Sequence, residues 1–121
     1  MQKRVVVAGC RNYDDYIQVK EFIDFCICEI RKENEIVIVS GGAKGVDALG
    51  ERYALENGLK IERYNAQWEK YGKGAGPKRN EEMAKIADFV ICFWDNKSKG
   101  TKSMIECAKR QGKPLKIKVI P

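Results

Sequence analysis

Four times along the chain a short apolar run gives way, across a glycine-bearing turn, to a stretch whose apolar residues recur at helical spacing. The runs are RVVVAG (4–9), EIVIVS (35–40), LKIERYN (59–65) and FVICFW (89–94), and LKIKVI (115–120) is a fifth. Val19, Phe22, Ile23, Cys26 and Ile30 predict a helix over 15–32, and Val46, Leu49 and Tyr53 predict one ended by Asn57-Gly58. Met83, Ala84 and Ala87 follow a helix start at Pro77, and Met104, Ile105 and Ala108 mark a last helix over 101–111. Alternation of this kind calls for right-handed crossovers and a parallel sheet covered on both faces. The expected architecture is α/β: a Rossmann-like doubly wound, mainly parallel five-stranded sheet with helices on both faces. LKIERYN is polar enough to lie at an edge, and FVICFW is apolar enough to be buried on both sides.

Length and composition suit a single domain over 1–121, since 44% hydrophobic content buries one core but not two. No apolar stretch approaches the roughly 20 residues of a membrane span, and the first residues lead straight into a strand, so a cytoplasmic protein is expected. Five cysteines without a CxxC spacing read as reduced thiols. With no histidine, a His-dependent triad is excluded and the usual zinc ligand is missing, so neither a metal nor a cofactor is expected. The net charge of +6 comes from 23 bases interspersed with 17 acids, which makes most of the lysines solvated surface. The densest basic stretch, EKYGKGAGPKRN (69–80), has the composition of a binding loop.

In doubly wound sheets ligands sit beyond the carboxyl ends of the strands, near the point where strand order reverses. That rule selects three loops: Gly9-Cys10-Arg11-Asn12 after the first strand, Ser40-Gly41-Gly42-Ala43-Lys44-Gly45 after the second, and Trp94-Asp95 through Ser98, Gly100 and Thr101 after the fourth. Asp88 precedes its strand and belongs at the opposite edge. The glycines of 41–45 have two readings: a tight turn needing φ > 0, or a bare helix N-terminus that lets an anion approach the main chain. Gly100-Thr101 repeats the arrangement at a second helix start. The standard fingerprints do not fit, because Lys44 precedes Gly45 instead of following the last glycine, and AGCRNY offers one glycine where a dinucleotide fold needs three.

The segments VAGCRNYDDY, VSGGAKGVDALGERYALENG and WEKYGKGAGPKRNEEMAKIADFVICFWDNKSKGTKSMIECAKRQGKP resemble the YspA/YpsA-related branch of the SLOG superfamily, whose wider membership includes DNA-processing protein A and the Lonely Guy phosphoribohydrolases. The resemblance spans nearly the whole chain. In that branch the first loop reads Gly-Ser-Arg, here Gly9-Cys10-Arg11; Gly-Gly-Ala-x-Gly-x-Asp falls on Gly41, Gly42, Ala43, Gly45 and Asp47; Gly-Pro-x-Arg-Asn falls on Gly76, Pro77, Arg79 and Asn80. The phosphoribohydrolase motif that ends in paired acids aligns on Gly100-Thr101, but its acids fall at Ser103 and Met104. The resemblance implies a nucleotide or nucleotide-derived ligand of the AMP or ADP-ribose type, and a homodimer.

The candidate roles follow from chemistry. Arg79 carries a planar fork matched to phosphate. Asp47 either complements its helix dipole or accepts from ribose hydroxyls. Trp94 either stacks on a base or packs beneath the next helix. Asp47, Asp95 and Glu106 are the candidate acids or bases of an N-glycosidic or phosphoester hydrolase. Cys10 is either a reactive thiol or a small loop residue, and Trp68 and Tyr71, beside Lys70 and Lys73, either cover a base or pin their loop. Three functions remain open: binding or sensing of a nucleotide-type small molecule, hydrolysis of such a ligand, and single-stranded nucleic-acid binding.

Overall fold

The computed structural model describes residues Met1–Pro121. Five strands, β1 (Gln2–Gly9), β2 (Glu35–Ser40), β3 (Lys60–Arg63), β4 (Phe89–Trp94) and β5 (Leu115–Val119), form one sheet in the order β3-β2-β1-β4-β5. Every neighbouring pair is parallel. The helices are α1 (Tyr16–Ile27), α2 (Ile30–Glu33), α3 (Val46–Glu56), α4 (Trp68–Tyr71), α5 (Ala75–Ile86) and α6 (Lys99–Arg110), with a 3-10 turn at Gly72–Gly74. The expected Rossmann-like doubly wound fold is the one observed.

The strand alternation sorts the core into two layers. Val5, Val7, Ile36, Ile38, Ile91 and Phe93 face α1 and α3, where they meet Val19, Ile23, Val46 and Tyr53. Val6, Ala8, Val39, Val90 and Cys92 face α5 and α6 and meet Met83, Ala84, Met104 and Ala108. The chain winds outward from β1 through β2 to β3, then returns to place β4 on the other side of β1. The β1–β4 junction is therefore the topological switch point.

Several boundaries differ from expectation. The 15–32 helix ends at Ile27 and resumes for one turn at Ile30, held there by a three-residue backbone bond from Lys32 N to Glu29 O (3.3 Å). Ile30 still packs against the core, so its apolar spacing survives the break. The basic stretch 69–80 is not an open loop: α4, the 3-10 turn and the start of α5 run through it. Pro77 is the third residue of α5, not its first, and is tolerated because first-turn amides have no intrahelical acceptor. The last helix starts at Lys99, two residues before Thr101, because Ser98 caps it by accepting from Thr101 N at 3.4 Å.

Candidate functional site

A cleft of about 420 Å³ opens at the carboxyl ends of β1 and β4, within the roughly 300–1,000 Å³ range of small-molecule sites. One wall is Ala8, Gly9, Cys10, Arg11 and Asn12; a second is Ala43 and Asp47; α5 contributes Arg79, Asn80 and Met83; the fourth is Asp95, Lys97, Ser98, Gly100, Thr101 and Met104. Three loops and three helices, α3, α5 and α6, far apart in sequence, thus converge on the switch point.

The glycine turn 41–45 is shaped by the protein's own atoms. A β-carbon at Gly41 would stand 2.6 Å from Arg79 Nη1 and 2.9 Å from Asp47 Oδ2. At Gly42 it would meet Asn65 Oδ1 at 2.3 Å, and at Gly45 the Cys10 carbonyl oxygen at 2.4 Å and Arg11 backbone at 2.5 Å. Gly42 and Gly45 also have φ of 75° and 78°. Two of the turn's amides are used within the chain, Gly42 N donating to Ser40 Oγ (3.0 Å) and Ala43 N to Asp47 Oδ2 (3.3 Å), and Val46 N, the first of α3, donates to Cys10 O (3.1 Å). Ser40, Gly41, Gly42 and Gly45 consequently lie outside the cleft lining. The bare turn makes room for Arg79 and for the β1–α1 loop.

Arg79 joins the two motifs. Its Nη1 donates to Gly41 O at 2.7 Å, and its Nε donates to Asn80 Oδ1 at 3.0 Å. Asn80 donates through Nδ2 to Gly100 O (3.3 Å) and to Ser103 Oγ (3.2 Å), tying α5 to the start of α6. Arg79 and Asn80 are therefore braces that also face the cleft.

The β4–α6 turn is built differently. Asp95 Oδ1 accepts from Lys97 N and Ser98 N, both at 2.8 Å, which holds its carboxyl below the usual range. Asn96 takes the left-handed conformation at φ 65°, which asparagine tolerates. Trp94 donates through Nε1 to Ser98 O at 3.1 Å and packs in the α5–α6 core layer, so its indole is committed to the loop and lines no part of the cleft. A β-carbon at Gly100 would meet nothing within 4 Å, and the first-turn amides of Lys99 and Gly100 have no acceptor in the chain. This turn, unlike the first, has open space beside its glycine.

Electrostatically the cleft is mixed. Arg11 and Lys97 are exposed and engaged in no ion pair, and Arg79 is half-buried. Asp47 is only 6% exposed; burial pushes its carboxyl up to about 6, against the pull of the Ala43 amide and Arg79. Burial also raises the Cys10 thiol, which donates weakly to Phe93 O at 3.6 Å, so a low-pKa reactive cysteine is not what the structure contains. Glu106 is exposed on a face of α6 away from Thr101 and Met104, outside the cleft. Asn12 and Lys97 lie in loops that the strand-end rule selects, although neither was singled out as a ligand-binding residue; Ala8, Met83 and Met104 were not foreseen, since they carried only a core signal.

The parallel sheet, its order and the cleft at its switch point define the class, a Rossmann-like domain. Residues 3–71 match the YspA, cpYpsA-related SLOG family, and the chain belongs to that family. It is 33% identical over 120 residues to the gene 61 protein of Mycobacterium phage D29, spanning 93% of this chain and 94% of that protein. DNA processing protein A from Streptococcus pneumoniae has a similar structure, with a TM-score of 0.71 and 26% identity over 97% of this chain and 50% of its own. The DNA processing protein A of Helicobacter pylori, described for its single-stranded DNA binding mode, gives 0.67 and 26% over 95% of this chain and 64% of its own. The chain thus spans half to under two thirds of these two proteins. A structural-genomics protein designated TM1055 shares the fold at a TM-score of 0.66 and 20% identity, over 95% of this chain and 72% of its own.

Proposed function

We propose that the cleft binds a nucleotide or nucleotide-derived phosphate ligand. The observation that carries this reading is the convergence, at the switch point, of two unpaired cations with an open helix start. Arg11 and Lys97 line the cleft beside Gly100, and the free amides of Lys99 and Gly100 begin α6. Together they are suited to a phosphate: amides and dipole at the helix N-terminus, a guanidinium able to form two parallel bonds, and an ammonium. On this reading the phosphate sits at α6 and not at the 41–45 turn, because Arg79, Asn65 and the β1–α1 loop press against Gly41, Gly42 and Gly45 and only Ala43 of that turn lines the cleft. Calorimetric titration with AMP and ADP-ribose tests the reading. Arg11→Ala and Lys97→Ala, both exposed, should leave the melting temperature within a degree or two and weaken binding about 5- to 50-fold each, as charge-assisted bonds of about 1–2.5 kcal/mol imply. Failure of the native chain to bind any phosphate-bearing compound would reject it.

A second reading, single-stranded nucleic-acid binding, is favoured by a separate observation. Trp68 is 53% exposed and Tyr71 is exposed, with Lys70 Nζ and Lys78 Nζ 5.2 and 5.5 Å from the Tyr71 ring centre. Aromatics beside lysines offer stacking and phosphate neutralisation. The resemblance to a DNA processing protein supports the same reading. Oligonucleotide affinity that falls steeply with salt and drops in Trp68→Ala is the expected result, and no binding at low salt would remove it.

A further inference from the structure

Resting on the phosphate-binding reading, we infer that Asp47 is a specificity-determining acceptor for a sugar hydroxyl, so the cleft selects ligands whose ribose keeps its hydroxyl groups. The observation is a buried carboxylate left incomplete. Asp47 is more than nine-tenths buried and lines the cleft. Its Oδ2 accepts a single long bond from Ala43 N at 3.3 Å, and its Oδ1 has no partner in the chain. Arg79 and Asp47 both press against Gly41, yet no ion pair forms between them, because Arg79 Nη1 is spent on Gly41 O.

A carboxylate in this position costs the fold stability. Buried charges are ordinarily paired and fully hydrogen-bonded, whereas the free Oδ1 of Asp47 is not sealed from solvent, since every fully buried side-chain oxygen in the chain has a partner, and it opens on the cleft. A carboxylate that served only α3 would sit in solvent at the first turn, where it complements the helix dipole without desolvation. Asp47 instead turns inward, and a ligand donor would complete it.

The surroundings restrict the donor. Arg11, Arg79 and Lys97 share the cleft with one further acid, Asp95, whose Oδ1 is already taken by Lys97 N and Ser98 N, so the bases prevail and disfavour an ammonium or another cation beside them. A neutral O–H donor on a molecule whose negative charge lies elsewhere meets both conditions, and a pentose phosphate is such a molecule. Asp47 then reads the sugar while the α6 start holds the phosphate. The charged groups facing Asp47 are Arg79 from α5, Arg11 from the β1–α1 loop and Glu51 from its own helix.

The test compares AMP with 2′,3′-dideoxy-AMP by calorimetry, on the native chain and on Asp47→Ala and Asp47→Asn, with inorganic phosphate as a further probe. The native chain should prefer AMP by about 10- to 100-fold, the range for a hydrogen bond to a charged acceptor. In Asp47→Ala that preference should shrink to under about threefold while dideoxy-AMP binding is retained; Asp47→Asn, a neutral acceptor, should fall between. Melting curves establish that both variants fold. Equal affinity of the native chain for AMP and its dideoxy analogue overturns the inference and leaves the phosphate reading standing. No binding of any of the three probes overturns both.

Discussion

Burial raises the carboxyl of Asp47 to about 6, above the roughly 3.9 of an unfolded aspartate, so between those pH values the folded chain keeps a proton that the unfolded chain has released. The sign follows: stability falls as pH rises through this window, and the cost is complete above it. Asp47→Asn removes the charge at constant shape. Its melting temperature should match the native chain near pH 4 and exceed it above pH 6, by an amount equivalent to about 1–3 kcal/mol. Thermal melts across that range check it; a variant less stable than native at pH 7.5 would show that the charge is better compensated than its bonds suggest. Asp47 and Arg79 were legible as candidates, because an acid at a helix start and an arginine after Gly-Pro carry charge to the ligand edge. The role of Trp94 was not, since the bond that fixes its indole to Ser98 O depends on how the loop folds. Glu106 was misplaced because helical phase, not distance along α6, decides which residues reach the cleft.

At the level of elements, the two glycine-bearing turns look alike in sequence and differ in structure. The first is packed, main chain against main chain, where Gly45 meets Cys10 and Arg11; the second is open at Gly100. Composition alone cannot separate them, because the neighbour at Gly45 lies on another loop more than thirty residues earlier in the chain. Gly45→Ala combines a positive φ with a 2.4 Å backbone contact and should destabilise the fold by about 2–4 kcal/mol, or prevent folding. Denaturant unfolding measures it, and a loss below about 1 kcal/mol would mean that the β1–α1 loop yields easily. The 69–80 segment was misread for a related reason. Glycine and proline signal breaks, but Pro77 falls in a first turn, where it interrupts no hydrogen bond. The strands were clearer: their continuous apolar runs located β2 and β4 to the residue, while β3 is shorter than its polar flanks suggested.

For the whole molecule, alternation of elements was enough to call for a parallel, doubly wound sheet, and the strand-end rule located three of the four cleft walls. The order β3-β2-β1-β4-β5 was not written in local pattern, because it depends on which edge the chain crosses to after β3. That crossing brings the β4–α6 turn beside the β1–α1 loop and so assembles Arg11, Lys97 and Gly100 into one site. We place the anion seat of this cleft at the start of α6. Gly100→Asp tests it most directly, since an acid in the first turn of a helix supports the helix while opposing a bound anion. Titration of AMP should show a variant that melts at or above the native temperature yet binds at least about tenfold more weakly; undiminished AMP binding by a folded Gly100→Asp chain would mean that no anion sits at the start of α6.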